Sequence, residues 1–369
     1  MRRRQFLQYG GGLAGVAGLS FLSGPLLAQA APPPIEVSLR IQEADVEMVD
    51  GSAVFMWAFS LGTGKPSVPG PVIRLKQGQT VTLTVQNLAS TPHSLQIPGM
   101  PGVSLGPIAP NGIGSVTFTV GLPGTYFYLD PDRAPLNRLL GLHGAIVVEP
   151  AAQPPGSPAT PYAAGQATPG VRALFSALGN HARFPGSPWQ PGRDRIWVFN
   201  QIDPRINKLA EAGDLAGALD LTASFLPRYF TINGLSGVDA AHDEATVPRG
   251  RVGQPLLLRA LNAGLATHSP HIHGNHVFTT AEIVESSHAV RVLDNIIEED
   301  TWSMPPLMRR DLLLPFAKPP EIPDAAWPPR QEKFPLIYPM HCHNEISQTS
   351  AGGSYPLGLV TDWIIEGPL

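Results

Sequence analysis

Residues 69–87 read PGPVIRLKQGQTVTLTVQN. Within them Thr80-Val81-Thr82-Leu83-Thr84-Val85 alternates threonine with aliphatic residues. Successive side chains of a strand leave opposite faces, so Val81, Leu83 and Val85 share one face and the threonines the other. This pattern predicts a half-buried strand, bounded by turn signals at Pro69-Gly70-Pro71 and Gln77-Gly78-Gln79. Similar short runs occur at 53–60, 115–120, 124–128 and 144–148. Many short strands at close spacing imply an all-β sandwich.

Composition points the same way. Gly 38 and Pro 41 make up about a fifth of the 369 residues, which disfavours long helices and coiled coils. Charged residues are 15% and apolar residues 43%, enough for a packed core and unlike a disordered chain. The formal net charge is −4, with no basic block after residue 4, so binding to a nucleic acid backbone is not expected. A single cysteine, Cys342, excludes an internal disulfide framework and a four-cysteine zinc site; a buried thiol or a metal thiolate remains.

Residues 1–30 carry Arg2, Arg3 and Arg4, then a Gly/Ala/Leu-rich run, then Ala28-Gln29-Ala30, the layout of a cleavable signal peptide. Arg3-Arg4-Gln5-Phe6-Leu7 resembles the twin-arginine signal, which predicts export to the periplasm or beyond and no stable membrane insertion after cleavage. A first sandwich domain is expected over 31–150, a Pro/Gly-rich linker over 151–193 with a short helix at 171–178, and a second domain over 194–369. Within the second domain the pattern predicts one helix over 207–225 and loops over the proline-heavy stretch 304–339.

Eleven histidines are present, and six fall in two short segments, THSPHIHGN at 267–275 with His276 following, and HCH at 341–343. Residues two apart on a strand point the same way, so His271 pairs with His273 and His341 with His343, while Cys342 faces the other side. Imidazoles and a thiolate suit copper or zinc. His276 reads as an ordinary hydrogen-bonded histidine.

At these residues the chain resembles the multicopper oxidases. THSPHIHGN matches that family's His-x-x-His-x-His stretch, and MHCHNE its His-Cys-His stretch near the C-terminus. PGPVIRLKQGQTVTLTVQN, GTYFYLD with LGLHGAIVVEP, and FTING with VGQPLLLRALNAGLATHSPHIHGN look like its cupredoxin domains. The resemblance implies two cupredoxin-like Greek-key β-sandwich domains and copper as cofactor. It places His271, His273, His341 and His343 at an interdomain copper cluster and makes His268 and Cys342 ligands of a blue copper. Two-domain relatives also form homotrimers with clusters between subunits, so a homotrimer is an expectation.

The family pattern requires two further His-x-His pairs in the first domain, where this chain has Gln96, Pro98, Leu129 and Pro131. His93, His143, Asp130 and Asp132 lie near, but at other spacings. The third blue-copper ligand falls at Ser347 and the axial position at Gly352, in the loop 348–355. Fewer than four copper ions per chain are therefore expected. The resulting reading is an exported, multicopper-oxidase-like protein, a copper-dependent oxidoreductase with a reduced metal site. The alternative is a non-catalytic periplasmic copper-binding or scaffolding protein of the same fold. A hydrolytic zinc site lacks a carboxylate at a fixed spacing to serve as its base.

Overall fold

The computed structural model describes residues 34–283, 286–328 and 333–369, so the signal-peptide reading of residues 1–30 lies outside the described residues. The first half contains β1 (Ile35–Glu47), β2 (Ala53–Leu61), β3 (Gly70–Lys76), β4 (Thr80–Asn87), β5 (His93–Gln96), β6 (Ser104–Ile108), β7 (Ile113–Thr119), β8 (Gly124–Leu129) and β9 (His143–Glu149), with one short helix, α1 (Leu136–Leu139), before β9. They form a four-stranded sheet, β2-β1-β4-β7, and a five-stranded sheet, β3-β9-β8-β5-β6. Along β4 the aliphatic residues are buried and the threonines half-buried, because one face meets the core. Leu39, Ile41, Val81, Leu83 and Val85 share that core with Ile73, Leu75, Leu95, Tyr126, Tyr128, Ile146 and Val148.

The second half follows α2 (Pro169–Ala177). It contains β10 (Asp194–Ile202), α3 (Pro204–Glu211), α4 (Leu215–Leu221), β11 (Tyr229–Ile232), α5 (Gly237–His242), β12 (Arg249–Gly250), β13 (Leu256–Asn262), β14 (Pro270–Ile272), β15 (Val277–Ile283), β16 (Arg291–Glu299), β17 (Arg309–Leu314), β18 (Leu336–Cys342) and β19 (Val360–Ile365). These strands build a six-stranded sheet, β11-β10-β13-β17-β15-β16, and a four-stranded sheet, β12-β19-β18-β14. Trp197, Phe199, Leu258, Leu312 and Leu314 pack with Ile272, Met340, Cys342, Trp363 and Ile365. The fold is thus the all-β cupredoxin type, and none of the described helices is long and apolar enough to cross a membrane.

Three local readings are corrected. The helix expected over 207–225 is broken into α3 and α4: Gly213 takes a φ of +82°, and the Asp214 side chain accepts the Gly217 N–H, at 2.9 Å, to cap the second helix. The loops expected over 304–339 contain β17, an interior strand of the six-stranded sheet, as well as the start of β18. Segment 151–193 does not run free, for Tyr162, Val171, Phe175 and Trp189 are buried against Leu257, Phe278 and Leu313.

The halves meet through apolar and charged layers. Phe127, Leu129, Ala145 and Val147 pack on Ile196, Val198, Leu261 and Ala263. Beside them, buried Arg259 contacts Asp194 (2.9 Å) and Asp311 (3.4 Å) and donates to Thr125 Oγ1 (2.9 Å). Thr125 and Tyr162 hydroxyls donate to the two Asp311 oxygens at 2.6 and 3.2 Å, and Arg74 reaches Asp194 from the first half. Burial pushes the Asp194 carboxyl up, but Arg74 and Arg259 outweigh it and hold Asp194 below its ordinary value.

Candidate metal centre

β14 and β18 are antiparallel, with Pro270 opposite Cys342, His271 opposite His341 and Ile272 opposite Met340. Directly opposed residues point to the same face. One face therefore carries His271 and His341, and the other sends Ile272, Met340 and Cys342 into the core. His273 follows just beyond β14, where Gly274, at φ +73°, turns the chain; a Cβ there would stand 2.7 Å from the Tyr338 ring. His343 extends the same face beyond β18.

The four imidazoles converge. Ring centroids are 4.7 Å apart for His271–His273 and for His271–His343, 5.1 Å for His273–His341 and 5.3 Å for His341–His343. One ligand atom from each of His271, His341 and His343 can be chosen with all three within 4.8 Å of one another. His273 Nε2 lies 3.0 Å from His341 Nε2. Two nitrogens each about 2.0 Å from one metal, at ordinary coordination angles, sit roughly 2.8–3.3 Å apart. The donor set therefore fits copper or zinc. His271 and His341 are half-buried and His273 and His343 exposed, so the cluster opens to solvent.

His271 is oriented from behind. Its Nδ1 lies 2.9 Å from Thr301 Oγ1 and 3.1 Å from the Asp300 carbonyl oxygen, which only accepts, so the proton sits on Nδ1 and Nε2 keeps its lone pair. Neither Asp300 nor Thr301 is readable from sequence, since they lie at the end of another strand with no motif. Burial pushes the His271, His273 and His341 imidazoles below their ordinary value; neighbouring imidazoles add to this, against Asp300 at His271 and the Cys342 carbonyl at His341. Neutral imidazoles are the metal-binding form.

The other candidate ligands lie behind the sheet. Cys342 Sγ is 3.7 Å from His268 Nδ1 and accepts the Ser269 N–H at 3.3 Å. Burial pushes His268 down to about 4. At the position of the third ligand, Ser347 is buried and its hydroxyl donates to the Asn344 carbonyl at 2.6 Å; Gly352 is exposed. The structure brings no second imidazole to this pair among the described residues.

In the first half, the polar groups near the expected ligand positions bind one another. His93 Nδ1 is 2.8 Å from Asp130 Oδ2, which also accepts the Asn137 amide at 2.7 Å, and Asp132 accepts the Ser94 hydroxyl at 2.7 Å. His143 is fully buried, pushed down to about 4 by that burial, with Nδ1 held 2.8 Å from the Arg138 carbonyl. His276 bridges Glu298 (3.2 Å) and Glu321 (3.0 Å), as a hydrogen-bonded histidine.

The two halves share one template. Asn87-x5-His93-Ser94-x-x-Ile97-x-Gly99 repeats as Asn262-x5-His268-Ser269-x-x-Ile272-x-Gly274. Asn87 donates to the Thr91 and Ile108 carbonyls and accepts Ala89 N–H; Asn262 donates to the Ala266 and Met304 carbonyls and accepts Gly264 N–H. Gln96 pairs with Leu129 as His271 pairs with His341, so Gln96 and Leu129 occupy the places of ligands, and His93 with Asp130 stands where His268 stands with Cys342.

Comparison with known proteins agrees. Residues 63–153 match the multicopper oxidase family model. A copper resistance protein A homolog of Pseudomonas syringae pv. tomato is 32% identical over 156 residues, covering 37% of this chain and 25% of that protein. Copper resistance protein A of Escherichia coli is 35% identical over 91 residues, 22% of this chain and 15% of that one. The matches thus span a quarter or less of these relatives' length. Among solved structures, a blue copper oxidase from Nitrosomonas europaea superposes with a TM-score of 0.63 at 20% identity, over 91% of this chain and 86% of the other. A copper nitrite reductase from the same organism gives 0.56 at 17%, over 90% and 94%. The structural likeness carries the fold.

Proposed function

From this multicopper-oxidase-like, copper-binding fold, we propose that the protein binds copper through His271, His273, His341 and His343 and is a copper-dependent oxidoreductase with a reduced metal site. The observation that carries the reading is the convergence of four imidazoles on one open sheet face. Copper held there would supply one-electron chemistry, and the solvent-facing side leaves room for oxygen or a small-molecule substrate. The chain's own part is to present Nε2 of His271, fixed by Thr301 and the Asp300 carbonyl, and to bias His271, His273 and His341 toward the neutral form by burial.

A second reading, a copper-binding protein without turnover, is favoured by Gln96, Pro98, Leu129 and Pro131 standing where the family has histidines. Loading with copper, counting ions and following oxygen uptake with a phenolic donor separates the two. The first reading expects fewer than four ions per chain and slow, copper-dependent uptake. Bound copper without uptake selects the second, and protein that takes up no copper removes both.

We also propose export by the twin-arginine route, supported by Arg3-Arg4-Gln5-Phe6-Leu7 and Ala28-Gln29-Ala30. Arg3→Lys with Arg4→Lys should retain the protein in the cytoplasmic fraction. Undiminished export of that variant contradicts the route.

A further inference from the structure

We propose that Gln201 locks His268 in the tautomer carrying its proton on Nδ1, so that His268 and Cys342 form a closed imidazole–sulfur pair and not a copper site. The Gln201 amide cannot be turned round without loss. Its Oε1 accepts two backbone N–H groups, Leu265 at 2.8 Å and Ala266 at 2.9 Å, which fixes Nε2 as the NH2 end. That NH2 faces the Ala266 carbonyl at 3.3 Å and His268 Nε2. Gln201 and His268 are both buried to 0% exposure, so solvent offers neither a substitute partner.

A donor aimed at His268 Nε2 requires a lone pair there. The ring proton is then on Nδ1, the nitrogen 3.7 Å from Cys342 Sγ. A metal bound to the thiolate would need the Nδ1 lone pair; supplying it moves the proton to Nε2, against the Gln201 NH2, and leaves a buried donor–donor contact. Sulfur already accepts the Ser269 N–H. The third ligand, a second imidazole, is absent at Ser347, whose hydroxyl is spent on Asn344. The first half repeats the arrangement: His93 presents the same nitrogen, Nδ1, to Asp130 Oδ2, an acceptor in the place of Cys342. The residues at the blue-copper position therefore do not fit copper, and the copper chemistry of the chain is confined to the histidine cluster.

Metal-free protein suffices for the test, so failure of copper to bind at the cluster leaves the tautomer readable. In protein labelled with 15N-histidine, two-bond proton–nitrogen correlations report which ring nitrogen is protonated. The His268 signals are identified by their contacts with the Phe199 and Phe230 rings, whose centroids lie 5.8 and 6.4 Å away. The Nδ1–H pattern is expected, and an Nε2–H pattern overturns the proposal. A second arm uses visible spectra of copper-loaded variants. Ser347→His alone supplies the second imidazole and should show no thiolate-to-copper band. Ser347→His with Gln201→Glu should gain it, because the carboxylate keeps the two backbone N–H groups and accepts from Nε2. An equally intense band in the single variant, or a double variant as colourless as the single one, removes Gln201 as the lock.

Discussion

Alanine in place of His271 or of His343 is expected to weaken copper binding by at least roughly 100-fold, since loss of a partner behind a ligand alone costs about 10–100-fold. Each residue supplies one of the three nitrogens that lie within 4.8 Å of one another. Alanine at His181 or His242, exposed positions outside the cluster, should leave the ion count unchanged. Equilibrium dialysis against copper measures both, and wild-type affinity in either cluster variant would exclude the four-histidine site. The same titration has a pH signature. Protons and metal compete for the same nitrogens, and burial together with mutual repulsion holds His271, His273 and His341 below the ordinary value of about 6.5. Binding should therefore persist as pH falls to that value and weaken only below it.

Replacing Arg259 by methionine is expected to destabilise the fold by about 3–5 kcal/mol, the usual cost of stripping the partner from a buried charge. Asp194 and Asp311, with side chains 2% and 3% exposed, would lose the guanidinium between them. Arg74 still reaches Asp194, but its side chain is 41% exposed, and Asp311 keeps the Thr125 and Tyr162 hydroxyls in place of a charge. An unpaired buried carboxyl has a raised folded-state pKa, so its penalty is greatest when ionised. The deficit of Arg259→Met should accordingly grow as pH rises through the carboxylate range and shrink as it falls. Urea unfolding at two pH values reads this out. A loss below about 1 kcal/mol at pH 7 would mean that the network is solvated and contributes as a surface pair does.

The sequence made the sheet architecture legible wherever one strand face meets water, as in β4, because alternation then survives in the text. It concealed β17, where Arg309, Arg310 and Asp311 look like loop residues. Asp311 is buried because Arg259, on the neighbouring strand β13, answers its charge, a pairing that no local pattern encodes. The helix break is hidden because leucine spacing continues through Gly213-Asp214, and only the glycine's positive φ and the aspartate's cap reveal the stop. At the candidate site, the two-residue spacing placed each histidine pair on one face. It carried no information on the register that sets His271 opposite His341, on Thr301, or on the Gln201 amide behind His268.

The packing of Leu129 sets what a histidine cluster in the first half would cost. Its partner across the sheet, Gln96, is exposed, whereas Leu129 is 7% exposed and belongs to the apolar layer with Val198, Leu261 and Ala263. A histidine at that position would enter the apolar layer of Phe127, Ala145, Val198 and Leu261. Pro98, also buried, stands where the repeated template has His273. The position that holds His341 in the second half thus serves in the first as mortar between the halves, and a single Leu129→His step would run uphill in stability before any metal could bind.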